Sequence, residues 1–134
     1  MNSPIWLRED EILATHEKLL ARFGGTSGLR DRNLLESALC RPQQMEAYGE
    51  KDIFIMAAGL GGGIIRNHPF LDGNKRTGFM AAYIFLGING EEFDADEVSV
   101  VEKTLALAAG AISEAEYAGW LRVSCPKKRE KRAR

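Results

Sequence analysis

Apolar residues recur at helical spacing along most of the chain. In residues 9–23 they define one broad face of a helix, which a pair of glycines ends. A second helix is predicted to begin after Asp31, a good N-cap, and to end at Pro42, so that residues 43–51 form a loop and could line a cleft. The predicted inner face of the first helix consists of Ile12, Leu13, His16 (as a packed, hydrogen-bonded residue), Leu19, Leu20 and Phe23.

Two segments in the middle of the chain are apolar on nearly all sides, which predicts two buried central helices. The first runs from Ile53 to Asn67 after a capping Asp52, and the second from Asn74 to about Ile88. Glycine costs about 1 kcal/mol relative to alanine inside a helix. The first of these helices nevertheless contains Gly59, Gly61, Gly62 and Gly63. Their spacing fits neither the dinucleotide-binding nor the Walker phosphate loop, so close helix packing is the better interpretation.

Two more helices are predicted in the last third of the chain. Residues 94–97 open the fifth, which Gly110 stops, and a capping box at 113–116 opens the sixth. The expected core stripe of the fifth helix is Val98, Val101, Leu105, Ala108 and Ala109. We find neither an alternating strand of useful length nor an internal repeat. The pattern therefore predicts an all-α bundle of about six helices, formed by one domain over residues 1–126.

Composition is typical of a globular protein, with 134 residues, 45% hydrophobic and 28% charged. The two cysteines lack metal-ligand spacing, which favours a reducing compartment. The N-terminus has no basic flank before an apolar core, so we expect no signal peptide. The longest apolar run, residues 53–65, is too short to cross a bilayer. These features predict a cytoplasmic protein without membrane association.

The net charge of −1 hides an uneven distribution. Residues 127–134 contain six cations and one anion, whereas the preceding residues contain twelve cations and eighteen anions. A body of that sign is a poor nucleic-acid binder. We expect the tail at 127–134 to be disordered. The more specific alternative is that it contacts a nucleic acid or an acidic partner.

Between the two central helices lies a short polar stretch, residues 66–78. Pro69 disfavours helical geometry at His68, so the first central helix should stop there. Gly73 permits a tight turn, and Asn74 is expected to be the N-cap of the next helix. The stretch therefore predicts a polar loop that leads directly into a helix N-terminus, where backbone N–H groups can hold phosphate.

The side chains of this loop suit phosphate chemistry. His68 could remove a proton near neutral pH, and Lys75 and Arg76 add positive charge to the helix N-terminus. Asp72 is a natural Mg²⁺ ligand beside a polyphosphate. Phosphoryl or nucleotidyl transfer is one interpretation, and a purely structural helix junction is equally compatible with composition alone. A zinc site is not compatible with the sequence, because it needs at least three protein ligands and the one other histidine is His16.

The segment His-Pro-Phe-Leu-Asp-Gly-Asn-Lys-Arg at residues 68–76 resembles the signature of the Fic/Doc (Fido) superfamily. The resemblance extends over residues 5–123 and includes the flanks at 23–31 and 34–43. With lysine at position 75, the segment resembles the Doc branch of this superfamily, whose members are the death-on-curing toxins. Fic enzymes place glycine there and a second arginine at the position of Phe79.

The resemblance implies a role for each residue of the loop. His68 would be the general base that deprotonates a target hydroxyl, and Asp72 would bind Mg²⁺ and orient the acceptor. Phe70 would anchor the loop in the core. The nucleotide phosphates would be held by Gly73, Asn74, Lys75, Arg76 and Thr77.

The resemblance also implies an activity. A Doc-type toxin would be a serine/threonine kinase that transfers the γ-phosphate of ATP to a threonine of elongation factor Tu and so stops translation. We assign no inhibitory helix in the chain, so a small Phd-like antitoxin would inhibit it in trans. Two alternatives remain open: nucleotidyl (AMP) transfer of the Fic type, and a non-enzymatic binding module.

Overall fold

The computed structural model describes residues 3–126, and this part of the chain folds into six α-helices. The helices are α1 (Glu9–Phe23), α2 (Arg32–Ala47), α3 (Ile53–Asn67), α4 (Asn74–Ile88), α5 (Glu97–Ala108) and α6 (Glu114–Val123). The β-structure of the described residues is a single isolated bridge between Leu29 and Phe70. The all-α prediction is confirmed. The predicted basic tail at 127–134 lies outside the described residues.

Most helices begin where the sequence predicts, because capping side chains satisfy the first free N–H groups. Asp31 accepts hydrogen bonds from two N–H groups at the start of α2, and Asp52 accepts one from Phe54 at the start of α3. Asp96 caps α5 in the same way, and Ser113 forms the predicted capping box of α6. None of the six helices is both long enough and apolar enough to span a membrane.

Helix α3 is the centre of the fold and packs against α2, α4 and α6. Its glycines allow this close approach. A Cβ on Gly61 would lie 2.8 Å from the carbonyl oxygen of Gly78 in α4. A Cβ on Gly63 would lie 3.0 Å from the Cβ of Ala38 in α2. The interpretation of the glycines as helix-packing positions is therefore confirmed, and the local cost of glycine is offset by contacts on both sides.

An arginine–glutamate cluster joins three of these helices. Glu114 accepts hydrogen bonds from Arg41 of α2 at 2.6 and 3.0 Å and from Arg66 of α3 at 2.6 Å. Gly62 makes room for it, because a Cβ there would lie 3.1 Å from the Glu114 carboxylate. The first residue of α6 is thus fixed to the centre of α3.

The prediction that α2 ends at Pro42 is wrong, since the helix continues to Ala47. Proline costs about 3 kcal/mol inside a helix, and here contacts on either side of it outweigh that cost. Pro42 is itself buried, Arg41 donates a hydrogen bond to the Gly59 carbonyl, and Met45 packs against Gly59.

The loop predicted at residues 43–51 is shorter because residues 43–47 belong to α2. It also does not lie near His68. Arg30, just before α2, contacts the last carbonyl of α3, while Met45 near the end of α2 lies over Gly59. The two helices are therefore antiparallel, and residues 48–52 connect them at the end of α3 opposite His68. A 15-residue helix is about 20 Å long, so this connection forms no wall around His68.

Most of the predicted core stripe of α5 is also wrong, although Ala108 packs against the core as predicted. Val98, Val101 and Leu105 are exposed, whereas Thr104 and Leu107 are buried. Both faces of this helix carry apolar residues, so periodicity did not decide between them. The position of α5 against α3, α4 and α6 buries the face that contains Leu107.

Candidate functional site

The polar loop begins where α3 ends, at a histidine with unusual backbone geometry. His68 has φ 55° and ψ 60°, and it is the one non-glycine residue with positive φ in the described part of the chain. Such left-handed geometry costs roughly 1–2 kcal/mol outside glycine, so surrounding contacts must hold it. The His68 N–H donates to the Ile64 carbonyl at 3.2 Å, and Pro69 prevents the helix from continuing. The imidazole lies at the exposed end of the most buried helix.

Arg30 provides the contacts that hold this geometry. Its guanidinium donates from Nε to the His68 carbonyl and from a terminal nitrogen to the Asn67 carbonyl, both at 2.6 Å. Its backbone N–H donates to the Pro69 carbonyl at 2.7 Å. The segment that precedes α2 therefore holds the backbone carbonyls of residues 67–69 in place. No local pattern marks Arg30 for this role, although it lies in one of the flanks that resemble the family.

The loop is anchored in the core by Phe70 and Asn74. Phe70 is buried, and the Asn74 amide accepts from its N–H at 2.9 Å and donates to its carbonyl at 3.0 Å. Asn74 is not the N-cap that was predicted. Gly73, with φ 78°, occupies that position, because the Asn74 side chain is committed to the backbone of Phe70. A ligand at this helix start would therefore meet the backbone of Asn74 rather than its amide.

Asp72 is held at the surface with its carboxylate turned toward two backbone N–H groups. Gly73 donates to Oδ1 at 2.9 Å and Thr26 donates to Oδ2 at 3.2 Å. Gly25 makes this approach feasible, since a Cβ there would lie 3.0 Å from Oδ2. Each carboxylate oxygen keeps lone-pair capacity beyond these bonds.

The carboxylate of Asp72 fits Mg²⁺ but not a protein-only metal cage. Residues 3–126 contain no group of three or more histidine, cysteine, aspartate or glutamate side chains arranged to hold an ion. Mg²⁺ commonly uses one or two carboxylates and completes its shell with phosphate oxygens and water. Asp72 can supply the one carboxylate that such a site requires.

His16 supports the loop from its buried side. It is buried and stacks on Phe70, with ring centroids 3.8 Å apart. Its Nε2 donates to the Asp72 carbonyl at 2.8 Å, which assigns the proton to that nitrogen because a carbonyl can only accept. The prediction of a packed, hydrogen-bonded histidine is confirmed, and its partner is the loop itself.

Lys75 and Arg76 lie in the exposed first turn of α4, and neither forms an ion pair with a carboxylate of residues 3–126. The N–H groups of a helix's first turn also lack acceptors within the helix. Two full positive charges and the positive end of the helix dipole therefore lie together without an ion-pair partner among the described residues. Arg76 contacts the ring of Phe23, 4.0 Å from guanidinium carbon to ring centroid.

The predicted site residues thus separate into two groups. His68, Asp72, Lys75 and Arg76 are exposed on one short loop and the helix turn that follows it. Thr77 is fully buried, and its hydroxyl has no hydrogen-bond partner among the described residues. Like the buried side chain of Asn74, it does not reach the surface on which those four residues lie.

The arrangement resembles a phosphate site, and comparison with known proteins decides the family. The Fic/DOC family model matches residues 6–86, which include the whole loop and Arg30. The chain belongs to the Fic/DOC family. Over 115 residues it is 36% identical to the protein kinase doc of Escherichia phage P1, covering 84% of this chain and 90% of that protein. The toxin Doc of Mycolicibacterium smegmatis is 44% identical over 78 residues, 55% of this chain and 58% of that protein.

These similarities place the chain in the Doc branch of the Fic/DOC family, as Lys75 indicated. The six-helix arrangement is accordingly a Fido fold. Residue 79 supports the same assignment. Where Fic enzymes carry a second arginine, this chain has Phe79, whose ring packs with Tyr83, Phe93 and Trp120.

Proposed function

We propose that this protein is a Doc-type toxin that transfers the γ-phosphate of ATP to a hydroxyl of a target protein. The observation that carries the proposal is the pair of cations at the first turn of α4, Lys75 and Arg76, neither of which is paired with a carboxylate of residues 3–126. They follow Asp72 and the exposed imidazole of His68 along a loop whose backbone is held by hydrogen bonds. Rigid positioning and charge stabilisation are what phosphoryl transfer demands of a protein.

The residues suggest a direct transfer. His68 accepts the proton of the acceptor hydroxyl while that oxygen attacks the γ-phosphorus. The bond from the γ-phosphorus to the bridging oxygen breaks, and ADP leaves with the electron pair. Lys75, Arg76 and the free N–H groups of α4 stabilise the negative charge on the phosphate oxygens.

Asp72 is the residue that would hold Mg²⁺. A bound Mg²⁺ would neutralise charge on the β- and γ-phosphate oxygens. The hydrogen bonds from Gly73 and Thr26 fix the direction of the carboxylate, so it is oriented before a nucleotide arrives. The His16 bond to the Asp72 carbonyl fixes the backbone at the same residue.

We further propose that the acceptor is a threonine of elongation factor Tu, that the reaction occurs in the cytoplasm and stops translation, and that a Phd-like antitoxin inhibits the toxin in trans. Support for these points comes from the resemblance of residues 68–76 to the Doc motif and from the names of the relatives, a protein kinase and a toxin. Lys75 favours this activity over AMP transfer, because lysine there occupies the space and charge position of a phosphate.

Labelled nucleotide tests the proposal. The purified protein is incubated with elongation factor Tu, Mg²⁺ and ATP that carries label at either the γ- or the α-phosphate. We expect label from the γ-position alone, and its loss in His68→Ala by at least about a hundredfold, the usual contribution of a general base. Unchanged thermal unfolding of the variant is the control for folding. Label from the α-position would contradict the kinase and support nucleotidyl transfer, and no label from either would support a binding module.

A further inference from the structure

Phe23 is an aromatic residue in an unexpected position. It is the last residue of α1 and continues the stripe of His16 and Leu20, both of which are buried. Phe23 is nevertheless 49% exposed. Burial of an aromatic side chain is favourable, so an aromatic ring left half in solvent beside a cationic loop calls for a physical reason.

The ring is covered in part by cations. The guanidinium carbon of Arg76 lies 4.0 Å from the ring centroid, and that of Arg22 lies 5.4 Å from it. Both distances are within the range of cation–π attraction, which is about 6 Å. Arg76 is the closer of the two and the one that belongs to the phosphate loop.

We propose that Phe23 is a positioning residue that holds the guanidinium of Arg76 for nucleotide phosphate. The inference rests on the proposed function and adds a residue to it. A carboxylate in the place of Phe23 would neutralise Arg76 and compete with phosphate for its donors. An aromatic face restrains the guanidinium but leaves its charge intact. Because all five N–H donors lie in the guanidinium plane, a group stacked on a ring keeps them free at its edge.

The rest of α1 supports this role. Moving along one face of the helix, His16 donates to the Asp72 carbonyl, and a Cβ on Gly73 would lie 3.4 Å from the Leu20 side chain. Phe23, one turn further, contacts Arg76. His16 and Phe23 on α1 therefore contact different parts of the loop, with Leu20 between them close to Gly73, and Phe23 is the one that contacts a side chain rather than backbone.

A double-mutant cycle tests the inference through the affinity for Mg²⁺-ATP, measured by calorimetry without any acceptor protein. Phe23→Leu keeps an apolar side chain but removes the π face. It should weaken ATP binding by about threefold to tenfold, the size expected of a partly exposed cation–π contact. Phe23→Tyr and Phe23→Trp should restore affinity, which a purely structural role would not require. Tyr48→Leu is the matched control, since Tyr48 is an exposed aromatic at the other end of α3, and it should bind ATP as the wild type does.

The background variant Arg76→Ala decides the mechanism. If Phe23 acts through Arg76, Phe23→Leu has no further effect on ATP affinity in that background. An equal loss in both backgrounds would overturn the inference, because Phe23 would then act independently of Arg76. Wild-type affinity in Phe23→Leu would overturn it as well. Failure of the unmodified protein to bind ATP would overturn the proposed function and this inference together, whereas ATP binding without coupling would overturn this inference alone.

Discussion

At the scale of single residues, the site depends on side chains whose partners lie far away in the chain. His68 and Asp72 could be picked out from the motif, but the groups that hold their backbone carbonyls could not. Arg30 acts on carbonyls 37 and 38 residues later, and His16 acts on one 56 residues later. Sequence separation of this size leaves no local pattern, which is why the bracing residues were missed while the motif was found.

Arg30→Ala should disturb both stability and activity. It removes two short hydrogen bonds to the carbonyls of Asn67 and His68, so the left-handed geometry at His68 loses its main external support. Solvent screens the exposed guanidinium and limits the effect of its removal. We therefore expect a loss of about 1–3 kcal/mol in the free energy of unfolding, measured in urea. Phosphate transfer should fall at least about tenfold, since the base is misplaced.

Arg32→Ala is the matched control for that variant. Arg32 is a neighbouring exposed arginine with ion pairs to Glu9 and Glu36 that do not touch the loop. It should cost less than about 1 kcal/mol and leave transfer intact. Equal effects of the two substitutions on both measurements would show that Arg30 has no special role.

At the scale of helices, starts were predicted better than ends or faces. Capping residues such as Asp52 and Ser113 act on N–H groups two or three residues away, so they can be recognised locally. The end of α2 was misplaced because contacts with α3 stabilise the helix past Pro42. The buried face of α5 was misplaced because the neighbours of the helix, not its own pattern, select it.

The start of α3 also carries an ion pair, which gives stability a predictable pH dependence. Burial opposes ionisation of Asp52, but the Arg122 side chain at 2.7 Å and the Phe54 N–H outweigh it, so the pKa of Asp52 lies below its ordinary 3.8. A lowered pKa means that the ion pair stabilises the fold above pH 3.8 and that this contribution is lost as the pH falls further. Asp52→Asn keeps an N-cap and removes the ion pair, so it should be about 0.5–1 kcal/mol less stable at neutral pH.

Urea unfolding at several pH values checks this expectation. The difference between the wild type and Asp52→Asn should shrink as the pH is lowered from neutral to below 3.8. Asp96→Asn is the control, because Asp96 caps α5 but has no arginine or lysine partner within residues 3–126. A constant difference for Asp52→Asn across the pH range would argue against the ion pair.

At the scale of the whole molecule, the segment after α6 closes the fold. The Asp94 N–H donates to the Ser124 carbonyl at 2.7 Å, and Cys125 is buried in the core cluster. Burial, together with the nearby carboxylate of Glu91, raises the pKa of the Cys125 thiol to about 11. Cys40 on α2 is exposed.

The two cysteines should therefore react very differently with an alkylating reagent. At pH 8 only about one Cys125 thiol in a thousand is ionised at a pKa of about 11, and burial blocks access as well. We expect Cys40 to be modified quickly and Cys125 slowly in the native protein, with both modified in guanidinium chloride. The Cys125 rate should rise with pH toward 11. Mass spectrometry of Cys40→Ser and Cys125→Ser separates the two sites, and equal native rates would mean that the C-terminal segment is not packed as described.

The sequence alone determined the helical class, the helix starts and the motif at residues 68–76, because apolar periodicity, capping and motif chemistry act over a few neighbouring positions. Tertiary structure decided the rest. It selected the buried face of α5, extended α2 through Pro42, buried Thr77 and brought Arg30, His16 and Phe23 to the loop. These outcomes depend on which helices pack together, and packing free energies of several kcal/mol outweigh local preferences of about one.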